Sequence, residues 1–211
     1  MVVVVSRFMS NLKPTHCAEL PSWVSYWALI ASILVGFDCV YVFSVEYGSY
    51  TPSIIKSLWS WYGTSDVQYA SSGQGIAESN GWMQTQSKFN VAEVILQLLF
   101  LFVLPRGSIE GLITILISSV ATCWKTLIYM SIIYHSKDPV YMVPLLTCFG
   151  YQPLPENADS VALSMQQDDC RTQFFKFQFN FWWIIVPTFV VIVCWRKLAH
   201  ICRIATAAKK S

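Results

Sequence analysis

WMQTQSKFNVAEVILQLLFLFVL, residues 82–104, is an apolar run that stops at Pro105 and yet carries a row of polar side chains. Gln86, Asn90, Glu93 and Gln97 are spaced four, three and four residues apart. On an α-helix that spacing stacks them into one stripe, while Val94, Ile95, Leu98, Leu99 and Leu101 fill the rest of the surface. A helix over Gln84–Leu104 is long enough to cross a hydrocarbon core, and there the stripe cannot face lipid. An ionisable side chain in a membrane helix costs about 2.5–3.5 kcal/mol on insertion scales, so it points into a bundle interior or a water-filled cavity. Glu93 is therefore the first functional residue the sequence offers. The plainer role for such a stripe is to join helices by hydrogen bonds.

Composition agrees with a membrane setting. Of 211 residues, 55% are hydrophobic and only 12% charged, about half the charge of an ordinary globular chain. A net charge of +2, with no Lys/Arg cluster among aromatics, gives no footprint for nucleic acid. Seven cysteines without CxxC or Cys/His spacing indicate neither a zinc nor a haem site, and no cofactor is implied. The opening MVVVV is followed by Arg7, Lys13 and Pro14 rather than a small-residue cleavage site, so it does not read as a cleaved signal peptide.

The spacing of apolar segments predicts an all-α membrane protein, a four-transmembrane-helix bundle with an internal ligand cavity. Residues 1–22 form an N-terminal arm, residues 23–198 the transmembrane domain and residues 199–211 a basic cytoplasmic tail. Span one runs from Trp23 to about Val45, with Ser22 placed to cap it, and it holds one acid, Asp38, on a face with Leu34, Tyr41 and Val45. Residues 46–80 read as a structured loop containing a short amphipathic helix over 54–62, whose Trp59, Trp61 and Tyr62 suit a headgroup interface. Span two stops at Pro105, Arg106 and Gly107, a strong turn signal. Span three, about 109–134, groups Ser118, Thr122, Lys125, Thr126 and Tyr129, and Lys125 is its costly residue. Residues 135–173 read as an extramembrane loop. Span four, about 174–198, puts Lys176, Asn180, Trp183 and Pro187 along one side.

Basic residues follow the last span at Arg196, Lys197, Arg203, Lys209 and Lys210. Arg7 and Lys13 precede the first, and Arg106 sits in the turn after the second. With four spans these all fall on one side, which predicts cytoplasmic termini. The longer loops are then lumenal, where Cys148 and Cys170 are placed to pair. The same topology brings Asp38, Glu93, Lys125, Thr126, Asn180 and Trp183 to similar depth, as expected where a bundle hosts a ligand.

Acids, a lysine, amides and an aromatic face, enclosed by lipid and without a nucleophile and base pair, suit cofactor-independent proton chemistry on a hydrophobic substrate. Carboxylic acids enclosed by apolar surroundings hold a proton more readily and can deliver it to an alkene or epoxide. The indole of Trp183 is a fitting support for the resulting cation, and a second group then removes a proton elsewhere on the skeleton. Against this stands pairing of Asp38 or Glu93 with Lys125 for charge balance alone. An interfacial or packing role is likewise open to Trp183.

SLWSWYGTSDVQYA, with Leu58, Trp59, Tyr62, Asp66 and Tyr69, resembles the LW-x-x-Y-x-x-x-D-x-R-Y loop of the emopamil-binding protein and sterol isomerase family, whose members share the EXPERA domain. Asn180 to Pro187, N-x-x-W-x-x-x-P, is similar to that family's last helix, and Thr126, Leu127 and Tyr129 are similar to its D-x-L-Y helix. The resemblance covers residues 28–198. It implies an endoplasmic reticulum membrane protein whose Asn180 and Trp183 lie in a sterol pocket. It also sets Leu34 and Asp38 at the positions of a family histidine and glutamate, and Gln84 at that of a second glutamate. Lys125 replaces a small residue.

Together these readings predict an isomerase or cyclase acting on a sterol, triterpenoid or meroterpenoid. Asp38, Glu93, Lys125 and Trp183 would act in catalysis. Tyr41, Gln84, Gln86, Asn90, Gln97, Thr126, Tyr129, Lys176 and Asn180 would bind the substrate, with no metal ligands. The partners expected are a hydrophobic polycyclic small molecule and the lipid bilayer, with room for a homo-oligomer. A non-catalytic sterol- or lipid-binding membrane protein is the second reading, favoured by the missing histidine.

Overall fold

The computed structural model describes residues 19–63, 69, 81–105, 107–135 and 160–208, with the side chains of 60, 62, 63, 133–135, 160–179 and 208 outside the description. Most of the expected N-terminal arm, Cys148, and the side chains of Tyr62, Cys170 and Lys176 lie outside the described residues.

Five helices make up the described chain: α1 Ser22–Glu46, α2 Ser53–Gly63, α3 Trp82–Leu98, α4 Ile109–His135 and α5 Ser160–Ala208. No strand occurs among the described residues. Four of the helices are long and apolar enough to cross a membrane, over Ser22–Glu46, Trp82–Val103, Ile109–Ile132 and Asn180–Ala207. The fold is thus the four-span helical bundle that the sequence predicts. Ile33, Phe37, Phe102, Trp124, Phe189 and Trp195 are exposed on its outer surface, a belt of large apolar side chains suited to lipid.

Helix ends follow local chemistry. α1 closes with Gly48 at φ 61°, and the Gly48 and Ser49 N–H groups return to the Val45 and Ser44 carbonyls at 3.4 and 2.9 Å. This is the Schellman arrangement, in which a glycine takes the left-handed conformation and satisfies carbonyls the helix leaves open. At the other end, Pro21 rather than Ser22 flanks the helix and no side chain caps it. α3 passes into a π-helical turn over Leu99–Val103, where the Leu104 N–H reaches the Leu99 carbonyl at 2.9 Å. Pro105 then prevents continuation. Gly107, at φ 74°, turns the chain so close to Glu19 that a Cβ would stand 3.1 Å from its Cγ.

The expected loop over 135–173 is overturned for its second part, since α5 begins at Ser160 and continues through the expected tail to Ala208. Its 49 residues, at about 1.5 Å each, exceed twice the ~30 Å hydrocarbon core. Pro187 lies inside α5, buried, and its ring nitrogen cannot donate to the Trp183 carbonyl one turn back.

α1 packs chiefly on α3, and α4 on α5. Val24, Ala28, Ala31, Val35, Asp38 and Val42 form the buried face of α1 at alternating four- and three-residue intervals, and Ala28, Ala31 and Ser32 let the helices approach closely. Two apolar clusters occupy opposite ends of the bundle. One joins Val24 and Ala28 to Leu112, Ile115, Val190 and Cys194. The other joins Tyr41 and Val42 to Ile55, Trp59, Tyr69, Met83 and Tyr129. A polar layer lies between them.

A carboxylate-lined pocket in the bundle

The stripe of α3 faces inward: Gln86, Asn90, Glu93 and Gln97 are all buried. Asn90 Nδ2 donates to Asp38 Oδ2 at 2.8 Å. Trp59 Nε1, from α2, donates to Asp38 Oδ1 at 3.1 Å, and the Tyr69 hydroxyl also hydrogen-bonds this carboxyl. The Trp59 side chain therefore turns inward, its indole N–H finding an acceptor inside the bundle. Trp61 of the same helix is exposed.

Glu93 is held separately. Its Oε2 accepts from Lys125 Nζ at 2.7 Å, an ion pair in which the carboxylate is buried and the lysine half-buried. Its Oε1 accepts from Thr122 Oγ1 at 2.7 Å and from Gln97 Nε2 at 3.2 Å. Ser32 Oγ braces Gln97 in turn, donating to its Oε1 at 2.9 Å. Lys125 Nζ also donates to Asn90 Oδ1, so a continuous hydrogen-bonded chain joins the two acids: Glu93, Lys125, Asn90, Asp38. With two carboxyls and one ammonium in a site of low dielectric, this connectivity couples the charge of one acid to the other.

Above this layer is a pocket of about 270 Å³. Of the residues the sequence nominates, Asp38, Gln86, Asn90, Lys125, Thr126, Tyr129, Asn180 and Trp183 line it. Glu93 and Gln97 lie behind the wall, bound as above. Tyr41 is buried against Trp59 and Tyr69, with ring centroids at 6.2 and 6.4 Å, and supports the wall from outside. Gln84 is half-buried and does not line the pocket. The Lys176 side chain is outside the described residues.

Leu34, Val35, Leu58 and Trp61 complete an apolar side of the pocket, and Leu34, Leu58 and Trp61 are exposed on the bundle surface as well. Trp183 is held against Trp27 of α1, ring centroids 5.2 Å apart at 55°. Sequence reasoning left Trp59 and Tyr69 out of the site, although both fall in the quoted SLWSWYGTSDVQYA stretch and Trp59 stands four residues after the buried Ile55. Thr122 was legible as part of the polar face of α4, but its acceptor, Glu93, was not.

The pocket can receive an apolar molecule and hold it beside one carboxyl group, one ammonium and an indole face. No protein family, curated protein or solved structure matches this chain.

Proposed function

We propose that the pocket binds a hydrophobic polycyclic molecule, sterol-like or (mero)terpenoid, and isomerises or cyclises it by protonation and deprotonation. The observation that carries this reading is the placement of Asp38, a buried carboxyl in the wall of a pocket whose other side is apolar and aromatic. In the reaction a proton is added to one alkene carbon and the neighbouring carbon becomes cationic. The Trp183 face supports that charge. A proton then leaves another carbon, so the double bond has moved, or a ring has closed, with no net change in atoms or electrons. Asp38 exchanges the proton, and the hydrogen-bonded chain through Asn90 sets its charge against Lys125 and Glu93. The resemblance to the EXPERA family supports the same substrate class.

Incubating membranes that contain the protein with polycyclic alkenes in deuterated water tests this directly. The expected product is an isomer carrying one deuterium, lost in Asp38→Asn. Unimpaired product formation by Asp38→Asn removes the carboxyl from the chemistry.

One observation favours a second reading, a non-catalytic sterol- or lipid-binding membrane protein. Glu93 is committed to Lys125, Thr122 and Gln97 behind the wall, which leaves Asp38 without a second pocket-lining acid among the described residues. Binding of every alkene offered, with conversion of none, decides for this reading.

We also infer residence in the endoplasmic reticulum with both termini cytoplasmic, supported by Arg196, Lys197 and Arg203 towards the end of α5. A glycosylation acceptor placed between α4 and α5 is then modified and one at the C-terminus is not; the reverse pattern overturns the orientation.

A further inference from the structure

Gln86 differs from its neighbours in the pocket wall. It lines the pocket and is 9% exposed, yet its amide oxygen is buried and accepts no hydrogen bond. Among the described pocket-lining residues it alone has such an atom. Asp38, Asn90 and Lys125 satisfy one another, and Thr126 Oγ1 donates to the Thr122 carbonyl at 2.9 Å. A buried acceptor left unpaired is costly in a protein interior and needs an explanation.

We propose that Gln86 reads a hydroxyl group of the ligand, so that the pocket selects a hydroxylated terpenoid or sterol-like lipid over the corresponding hydrocarbon. This rests on the pocket's being a site for a hydrophobic polycyclic molecule. A hydroxyl donates to the Gln86 oxygen as a neutral group, whereas an ammonium would bring a second cation beside Lys125 into a largely apolar pocket. Gln86 precedes Asn90 by one turn, about 6 Å along the axis. A hydroxyl held there sets the far side of its own ring, or the next ring, beside the Asn90 and Asp38 pair. Gln86 thus fixes the register of the skeleton against the carboxyl.

The test uses purified protein in lipid nanodiscs and two probes, the fluorescent sterol dehydroergosterol and its 3-deoxy analogue. Wild type is expected to bind the alcohol about tenfold more tightly, the order of one satisfied buried hydrogen bond. Gln86→Leu is expected to bind both alike, with affinity for the 3-deoxy analogue unchanged. Equal binding of the two probes by wild type overturns the assignment of Gln86 while leaving the pocket reading intact; it is also the result expected if Gln86 serves only a bridging water. A preference that persists in Gln86→Leu overturns it too. No binding of either probe by folded wild type overturns the ligand reading of the pocket, and this inference with it.

Discussion

Asn90 Nδ2 stands 2.8 Å from Asp38 Oδ2, and the amide is fixed in that orientation. Lys125 carries only donors, so the Asn90 oxygen must face Lys125 and the NH₂ group must face Asp38. Trp59 Nε1, facing the other Asp38 oxygen, is likewise a donor only. Asp38 is therefore oriented by two groups that cannot turn round. Asn90→Leu removes one donor from Asp38 and one acceptor from Lys125 while filling similar space. The expected result is a loss of about 1–3 kcal/mol in stability, read as a lower midpoint of unfolding in detergent. An unchanged midpoint would show that the bridge contributes nothing to folding.

Lys125 tests the ion pair. Lys125→Met leaves Glu93 buried and without its cation, a change expected to cost about 3–5 kcal/mol. Adding Glu93→Gln to that variant removes the unpaired charge, and most of the stability should return. If the double variant is no more stable than Lys125→Met, charge pairing is not what Lys125 supplies.

The two acids should separate in activity. Asp38 lines the pocket and Glu93 does not. Asp38→Asn is expected to lower turnover about 10²–10⁴-fold, as removal of a positioned acid or base does, with ligand binding retained. Glu93→Gln keeps the hydrogen bond to Thr122 within reach and should have the smaller effect on turnover. Deuterium incorporation measured side by side decides the order, and a reversal moves the proton chemistry to Glu93.

Trp183 offers a graded readout. Loss of a desolvated cation–π contact is worth about 0.5–2 kcal/mol, or roughly two- to thirtyfold in rate. Trp183→Leu should show this loss and Trp183→Phe part of it. Because Trp183 rests on Trp27, Trp27→Leu serves as the packing control; equal losses in all three variants would assign the indole to packing.

The four spans were legible because each is a long apolar run with clear ends, such as Pro105 and Gly107. The inward stripe of α3 was legible from its spacing. Spacing assigns a face and not a neighbour, however, and Asn90 and Glu93 share a face and the Lys125 ammonium while their other partners differ. Asn90 reaches Asp38 and the pocket, whereas Glu93 is met by Thr122 and Lys125 of α4 and by Gln97, braced by Ser32 of α1. The inward turn of the Trp59 side chain was hidden for a related reason. Aromatics on a short amphipathic helix suit an interface by composition, and only its acceptor, 21 residues earlier in the chain, turns it inward. The first turns of α5 were missed because residues 160–173 hold too many polar side chains to read as part of an apolar span.

The polar stripe of α3 also bears on how the chain enters the bilayer. α3 is the least apolar of the four spans, and its amides and acid have no use for lipid until Ser32 and Asp38 of α1 and Lys125 of α4 are beside them. Emerging from the ribosome, α3 thus meets α1 already in place but must wait for α4. The expected outcome is poor insertion of α3 by itself in a glycosylation-mapping assay, better insertion behind α1, and full insertion once α4 follows. Efficient insertion of α3 alone would break the argument. On this account the side chains that build the pocket also set the order in which its walls are assembled.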